Sequence, residues 1–274
     1  MPIFISPKKF VKNRIWGTRD DSAFCRAFNL YTAKNKSWKI TVSFDDGFYR
    51  VTDTEGYEIA VLHRDRLPLY KRGIRHRAKS LLRDYMIDPS MIEAGDVVID
   101  CGANIGEIGV GLMLEGITAR YIAFEPGLEE FRACQTNNPA SECLNLGLWN
   151  EDGTLTFYNK SDTADSSLIE ISDYDSVTTV TTTALDRFCA DHGIDTIKVL
   201  KLEAEGAEPE ILQGAERMIA RTRFIAVDCG FERGVAQTST LPQVANYLIK
   251  RDFELKSLRK DRLTALFENT ALSR

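Results

Sequence analysis

A chain of 274 residues, 43% apolar and 27% charged, is long enough to bury roughly three quarters of its unfolded surface as one large domain or one domain with an appendage. No apolar run approaches the ~20 residues of a membrane span, and the opening MPIFISPKKF lacks the apolar centre of a secretory signal, so a cytoplasmic protein is expected. Cys25, Cys101, Cys134, Cys143, Cys189 and Cys229 form no C-x-x-C pair, and with only His63, His76 and His192 the chain offers little for a zinc site or a histidine triad.

The six thiols are expected to be reduced and mostly packed. The net charge of -5 conceals a split: residues 1–95 hold 18 Lys and Arg against 11 Asp and Glu, and the remainder holds 17 against 29. A basic front suits a region that meets phosphate or an anionic membrane surface, and equally a helix with a solvated basic face.

Taken in chain order, residues 38–62 (WKITVSFDDGFYRVTDTEGYEIAVL) alternate apolar and polar positions around D-D-G and T-E-G turns, which predicts three short antiparallel strands. Residues 71–87 (KRGIRHRAKSLLRDYMI) have near-helical apolar spacing behind five basic residues, a helix whose first half is basic. From Asp96 onward, short apolar runs alternate with helical stretches. The strand candidates are VVID (97–100), YIAFE (121–125), LNLGLW (144–149), IKVLKL (197–202) and FIAVD (224–228). Helices are expected near 105–115, 128–138, 183–192, 207–220 and 239–251, with FELKSL (253–258) and RLTALFE (262–268) as a closing hairpin. Such alternation predicts a doubly wound α/β fold, a mostly parallel sheet covered on both faces. A division into an N-terminal β/α extension, 1–94, and a main domain, 95–274, follows. Residues 159–182, rich in Ser, Thr and Asp, show no clear pattern and read as a long loop of the lid or binding kind.

The first strand of the alternating part runs directly into Asp100-Cys-Gly102-Ala-Asn104-Ile-Gly106 and then an apolar helix. Glycines there let the backbone approach a ligand, and the helix N-terminus offers free N–H groups. Nucleotide-like cofactors bind at this place in doubly wound sheets. The next strand ends in Glu125, 19 residues after Gly106, where an acid can accept hydrogen bonds from ribose hydroxyls. A nicotinamide dehydrogenase would use a similar layout. The turn, however, reads D-x-G-x-x-x-G, and its acid Asp100 suits the ammonium and sulfonium end of S-adenosylmethionine better than a diphosphate.

VIDCGANIGEIG, FEPGLEEF, LNLGLWNEDGTLTFY, SSL at 166–168, LDRF and KLEAEGAEPEILQGA resemble, in that order, the FkbM family of class I S-adenosylmethionine-dependent methyltransferases, over roughly residues 95–230. The resemblance implies a seven-stranded Rossmann-like sheet ending in a reversed hairpin. It also implies methylation of hydroxyl groups on polyketides, sugars or glycans, with Asp100, Gly102, Asn104, Gly106, Glu125 and Pro126 around the donor. Where the family usually shows Lys-Ile-Asp-Val-Glu-Gly, this chain has Lys201-Leu-Glu203-Ala-Glu205-Gly206.

Alternation places Lys201, Glu203 and Glu205 on one side of a strand bordering the crevice. Buried unpaired they would cost several kcal/mol each, so they are expected to pair with one another, with substrate or with a metal. Glu205 or Glu203 is the candidate general base, and Lys201 would fix the carboxylate or the acceptor oxygen. Acids at 205 and 208 also suit the start of the following helix. Asp228 with Glu203 and Glu205 could supply oxygens to Mg2+, an alternative that is not favoured because no further Asn or Asp stands at a suitable spacing. Asp228, Glu232 and Arg233, with Ser166 and Ser167 in the patternless loop, are candidates for contact with acceptor or cofactor. The expected acceptor is a small molecule, nucleotide sugar or glycan, and the basic front could hold its diphosphate or meet a membrane surface. An RNA-binding or RNA-modifying protein using the basic front is the remaining alternative, but a nucleic-acid partner is not expected, because KRGIRHR at 71–77 has no interleaved aromatic residues.

Overall fold

The computed structural model describes residues 13–160, 166–172 and 174–272. It divides into two compact units, one running to Arg77 and one from Ala78.

In the first unit, helix α1 (Asp21–Ala33) starts where the Asp20 side chain accepts the Ala23 N–H, a regular N-cap. Strands β1 (Ile40–Asp45), β2 (Phe48–Asp53) and β3 (Glu58–Val61) form the expected antiparallel sheet. The helix was not anticipated. Its buried Phe24 and Phe28 meet Trp16, Trp38 and Tyr49 edge-on, with centroids 5.2–5.8 Å apart, so an aromatic cluster supplies the core of this unit. Part of the basic surplus is engaged inside it: Arg64 binds the Thr18 carbonyl and Asp21, Arg75 donates to the Tyr57 hydroxyl, and Lys71 lies over Trp38.

Helix α2 (Ile74–Asp84) falls within the expected 71–87. Leu81, Leu82, Tyr85, Ile87 and Ile92 share a core with Val98, Ala123 and Val199, so residues 78–94 pack with the second unit. That unit is built on seven strands: β4 (Val97–Cys101), β5 (Arg120–Phe124), β6 (Glu142–Leu144), β10 (Ile197–Leu202), β11 (Thr222–Asp228), β12 (Phe253–Leu258) and β13 (Thr264–Asn269). Their order is β12-β13-β11-β10-β4-β5-β6, and only β13, the second strand of the closing hairpin, inserted between β12 and β11, runs antiparallel to the rest. The doubly wound α/β sheet with a terminal reversed hairpin is thus present.

Alternate residues serve two cores, which is why the strands read as unbroken apolar runs. Ile99, Ile122, Leu200 and Ile225 pack with α5 (Leu185–Asp191), α6 (Glu208–Gln213), α7 (Glu216–Ile219) and α8 (Leu241–Ile249). Val98, Ala123, Val199 and Ala226 pack with the end of α2, with α3 (Glu107–Leu114) and with α4 (Leu128–Asn137). The chain leaves β4 toward β5 and β6, then returns to the other side of β4 at β10. The crevice of such a sheet opens at that reversal.

Three expectations need correction. LNLGLW is not one strand: β6 ends at Leu144, and β7 (Gly147–Trp149) joins a separate sheet with β8 (Gly153–Asn159) and β9 (Ser176–Ala184). The segment 159–182 is therefore not loop throughout. Residues 176–182 belong to β9, whose exposed Thr-rich face shows no apolar period, while 161–165 and 173 lie outside the described residues. The helix expected over 207–220 is two short helices divided at Gly214 and Ala215. Among the described residues, no helix is long and apolar enough to cross a membrane.

Candidate functional site

Asp100 and Lys201 are register partners on adjacent parallel strands, so their side chains rise from the same face. That is why a lysine can stand in a buried strand. Its Nζ lies 2.9 Å from Asp100 Oδ1 and 3.2 Å from Glu203 Oε2, and it donates to the carbonyls of Cys101 and Gly102. The Tyr121 hydroxyl donates to Asp100 Oδ2 at 2.6 Å. Asp100 and Lys201 are 0% and 2% exposed, a depth at which an unpaired charge would cost several kcal/mol. Burial alone would lower the Lys201 ammonium, but the Asp100 and Glu203 carboxylates outweigh it and hold the group above its ordinary value.

The network continues outward through a residue the sequence reading did not single out. Arg262, in the turn before β13, donates to Glu203 Oε1 at 2.9 Å and to Asp228 Oδ2 at 2.8 Å. The Arg262 guanidinium and the Lys201 ammonium both lie over the Tyr85 ring, 5.8 and 5.2 Å from its centroid. Burial would raise Glu203, yet Lys201 and Arg262 draw its carboxyl down to about 2. Asp228, at the end of β11, is raised by burial and by the Glu203 charge. Among the described residues no group of three or more His, Cys, Asp and Glu side chains could hold a metal ion, and the position between Glu203 and Asp228 is bridged by Arg262.

The expectation that Lys201, Glu203 and Glu205 share one side of an extended strand is corrected at its last member. β10 ends at Leu202. Glu205 lies beyond it on a turn at φ +49, followed by Gly206 at φ +98. Glu208, buried and read from sequence only as an acid suited to the helix start, caps this turn by accepting from the Ala204 and Gly206 N–H groups at 2.9 and 3.2 Å. Ser167 Oγ donates to the Glu205 carbonyl at 3.0 Å and accepts from the Ile169 N–H, whereas Ser166 Oγ accepts the Lys160 N–H. Arg233 is engaged with both Glu210 carboxyl oxygens and the Gly206 carbonyl, so its charge braces the turn.

Across the crevice, Glu125 closes β5. Its Oε2 accepts the Asn104 N–H at 2.7 Å and its Oε1 accepts the Gly127 N–H at 2.8 Å, which fixes the carboxyl beside the glycine turn. Burial and the Glu130 charge raise it to about 8. Gly102 and Gly106 adopt φ +68 and +77, with Asn104 at +50 between them. At Gly102 the requirement is steric as well: a Cβ would stand 1.8 Å from the Glu203 carbonyl oxygen. Helix α3 begins after Gly106 with no side-chain cap. Asn145, a further residue missed from sequence, donates to the carbonyls of Glu125 and Pro126 and holds that corner.

The fixed carboxyl of Glu125 at the second strand tip and the close backbone of the glycine turn fit a ligand carrying a ribose, whereas the Asp100 carboxylate at the first tip is spent on Lys201 and Tyr121. The structure brings Asp100, Gly102, Lys201, Glu203 and Asp228 into one connected cluster, and joins Asn104 to Glu125. Ser166, whose hydroxyl accepts the Lys160 N–H, makes no contact with that cluster among the described residues.

Comparison with known proteins gives two kinds of match. A family model described as a methyltransferase FkbM domain matches residues 100–255. The 2-O-methyltransferase NoeI of Sinorhizobium fredii is 22% identical over 181 residues, covering 59% of this chain and 74% of that protein. Among solved structures, a putative rRNA methylase from Clostridium thermocellum aligns at TM-score 0.42 and 13% identity, over 69% of this chain and 95% of that one. Aeropyrum pernix fibrillarin, solved with S-adenosyl-L-methionine, aligns at 0.39 and 13%, over 84% and 98%. At TM-scores below 0.5 the two structural likenesses carry no weight for chemistry.

Proposed function

The chain belongs to the FkbM family of class I S-adenosylmethionine-dependent methyltransferases, and from that premise we propose that it transfers the methyl group to a hydroxyl of a sugar or glycan-like acceptor. The observation that supports this most is the unbroken polar chain Asp100, Lys201, Glu203, Arg262, Asp228, with successive contacts of 2.9, 3.2, 2.9 and 2.8 Å. It joins the donor-side strand tip to the tips of β10 and β11, where an acceptor would enter. The similarity to a 2-O-methyltransferase, NoeI of Sinorhizobium fredii, supports the same reading.

When bound, the donor supplies a methyl group already activated on a sulfonium. The chain's own residues then have two tasks, to align the acceptor and to accept its proton. Glu125 would receive the ribose hydroxyls, and the turn of Gly102, Asn104 and Gly106, with Pro126, would line the donor. Asp100, paired with Lys201 and Tyr121, would hold the donor-side strand tip in place beneath that turn. Lys201 and Arg262 hold Glu203 and Asp228 in place at the acceptor side, and Glu205 with Ser167 shapes the turn beside them.

The test is incubation of the full chain with labelled S-adenosylmethionine and a panel of nucleotide sugars, neutral glycosides and polyols, followed by mass spectrometry. A gain of about 14 Da, the net CH2 of methyl transfer, is expected on a sugar hydroxyl and should persist in EDTA. Methylation confined to RNA or to nitrogen would sink the reading, and so would tighter binding of NAD(H) than of S-adenosylhomocysteine.

A further inference from the structure

Three carboxyl groups interact at the tips of β10 and β11, those of Glu203, Asp228 and Glu232. Two of them are tied. Glu203 is gripped by Lys201 and Arg262, and Asp228 accepts from Arg262 and from the Gly230 N–H. No described residue makes a hydrogen bond or an ion pair with the carboxyl group of Glu232. Its side chain folds back over Gly230, where a Cβ would meet Glu232 Oε1 at 3.0 Å and Asp228 Oδ1 at 3.3 Å. The two carboxyls therefore border one small space whose floor is a glycine. The flanking chain positions carry Phe231 and Val235, 66% and 64% exposed, so the segment that bears this carboxyl group also presents an aromatic and an aliphatic side chain to solvent. Together they offer what recognition of a polyol needs: an apolar surface for its C–H face and an acceptor for its hydroxyl.

We propose that Glu232 is the proton acceptor for the attacking hydroxyl, with Phe231 as the platform under the acceptor's C–H face. This rests on the O-methyl transfer reading. The acceptor oxygen bonds to the methyl carbon while its O–H bond breaks and the proton passes to Glu232. The electron pair of the breaking S–CH3 bond stays on sulfur, and the products are a methyl ether, a neutral thioether and a protonated Glu232 that returns its proton to solvent.

The neighbours suit Glu232 to this role better than Glu203. Lys201 and Arg262 make Glu203 a weak base, its carboxyl being drawn down to about 2. Glu232 is pushed up to about 8 by burial first, then by the charges of Asp228, Glu203 and Glu208, with Arg262 opposing them. A base of that strength is matched to the working pH.

The acceptors for the test are methyl glycosides of neutral hexoses and hexosamines, used with the full chain. Glu232→Gln should lower kcat by about 10²- to 10⁴-fold and leave the affinity for S-adenosylhomocysteine, measured by calorimetry, unchanged. The rise of wild-type kcat with pH, centred near 8, should disappear in E232Q and persist in Glu232→Asp. Phe231→Ala should raise KM with little change in kcat. If the wild type methylates glycosides and E232Q keeps more than about a tenth of kcat with the same pH profile, the proposal is wrong and O-methyl transfer stands. If the wild type methylates none of them although it binds S-adenosylhomocysteine, the reading of the acceptor falls and Glu232 falls with it.

Discussion

One hydrogen atom on Gly102 lets the tips of β4 and β10 meet, because the Glu203 carbonyl oxygen occupies the place a side chain would need. Gly102→Ala combines that backbone clash with a positive φ of +68, so the crest must shift. A loss of about 2–4 kcal/mol is expected, from αL strain plus overpacking. Urea unfolding checks the stability, and calorimetry should show loss of S-adenosylhomocysteine binding. Unaltered stability and binding would mean that the two strand tips do not meet as described. Asp100, Gly102 and Glu125 were legible in the sequence because each stands at a fixed offset from a strand end within one βαβ unit. Arg262 was not: it reaches Glu203 across 59 positions of chain and Asp228 across 34, and nothing local to a charged hairpin turn indicates which carboxylates it will meet.

At the level of elements, β10 shows why the charged stretch misled in one part. Alternation through KLEAE reads as a strand reaching Glu205, but the hydrogen-bonded ladder stops at Leu202 and the backbone turns left-handed at Glu205 and Gly206. Alternation alone cannot mark that end, since a turn capped from Glu208 and braced by Ser167 preserves the same polar spacing. Lys201 was legible as a buried charge needing partners, and its partner Asp100 follows from parallel register. Because this ammonium joins β4 to β10, Lys201→Met should destabilise the second unit by about 3–5 kcal/mol, the cost of stranding a buried carboxylate. The double variant Lys201→Met/Asp100→Asn should recover at least half of that loss in urea unfolding. A single-variant loss below about 1 kcal/mol would show that the pair does not join the strands energetically.

Over the whole molecule, the perturbed carboxyls set opposing dependences of stability on pH. Glu203 is depressed to about 2 in the fold from an ordinary 4.5. Its contribution is complete above 4.5 and is lost as pH falls toward 2. Glu125 and Glu232 are each raised from 4.5 to about 8, so the fold favours their protonated forms. Their contribution is complete below 4.5 and is lost as pH rises toward 8. The ligand-free protein should therefore have its highest Tm near pH 5 and decline toward pH 8.5. Glu125→Gln/Glu232→Gln should flatten the decline, since neither glutamine can ionise. Saturating S-adenosylhomocysteine should also reduce it, because ribose hydroxyls donating to Glu125 favour the carboxylate and bring its folded value back toward 4.5. Differential scanning fluorimetry in buffers of constant ionic strength reads all three curves. A wild-type Tm that holds level from pH 5 to 8.5, or a decline unaffected by both the double variant and the ligand, would place these two carboxyls in ordinary solvent and not in the closed crevice the sheet reversal builds.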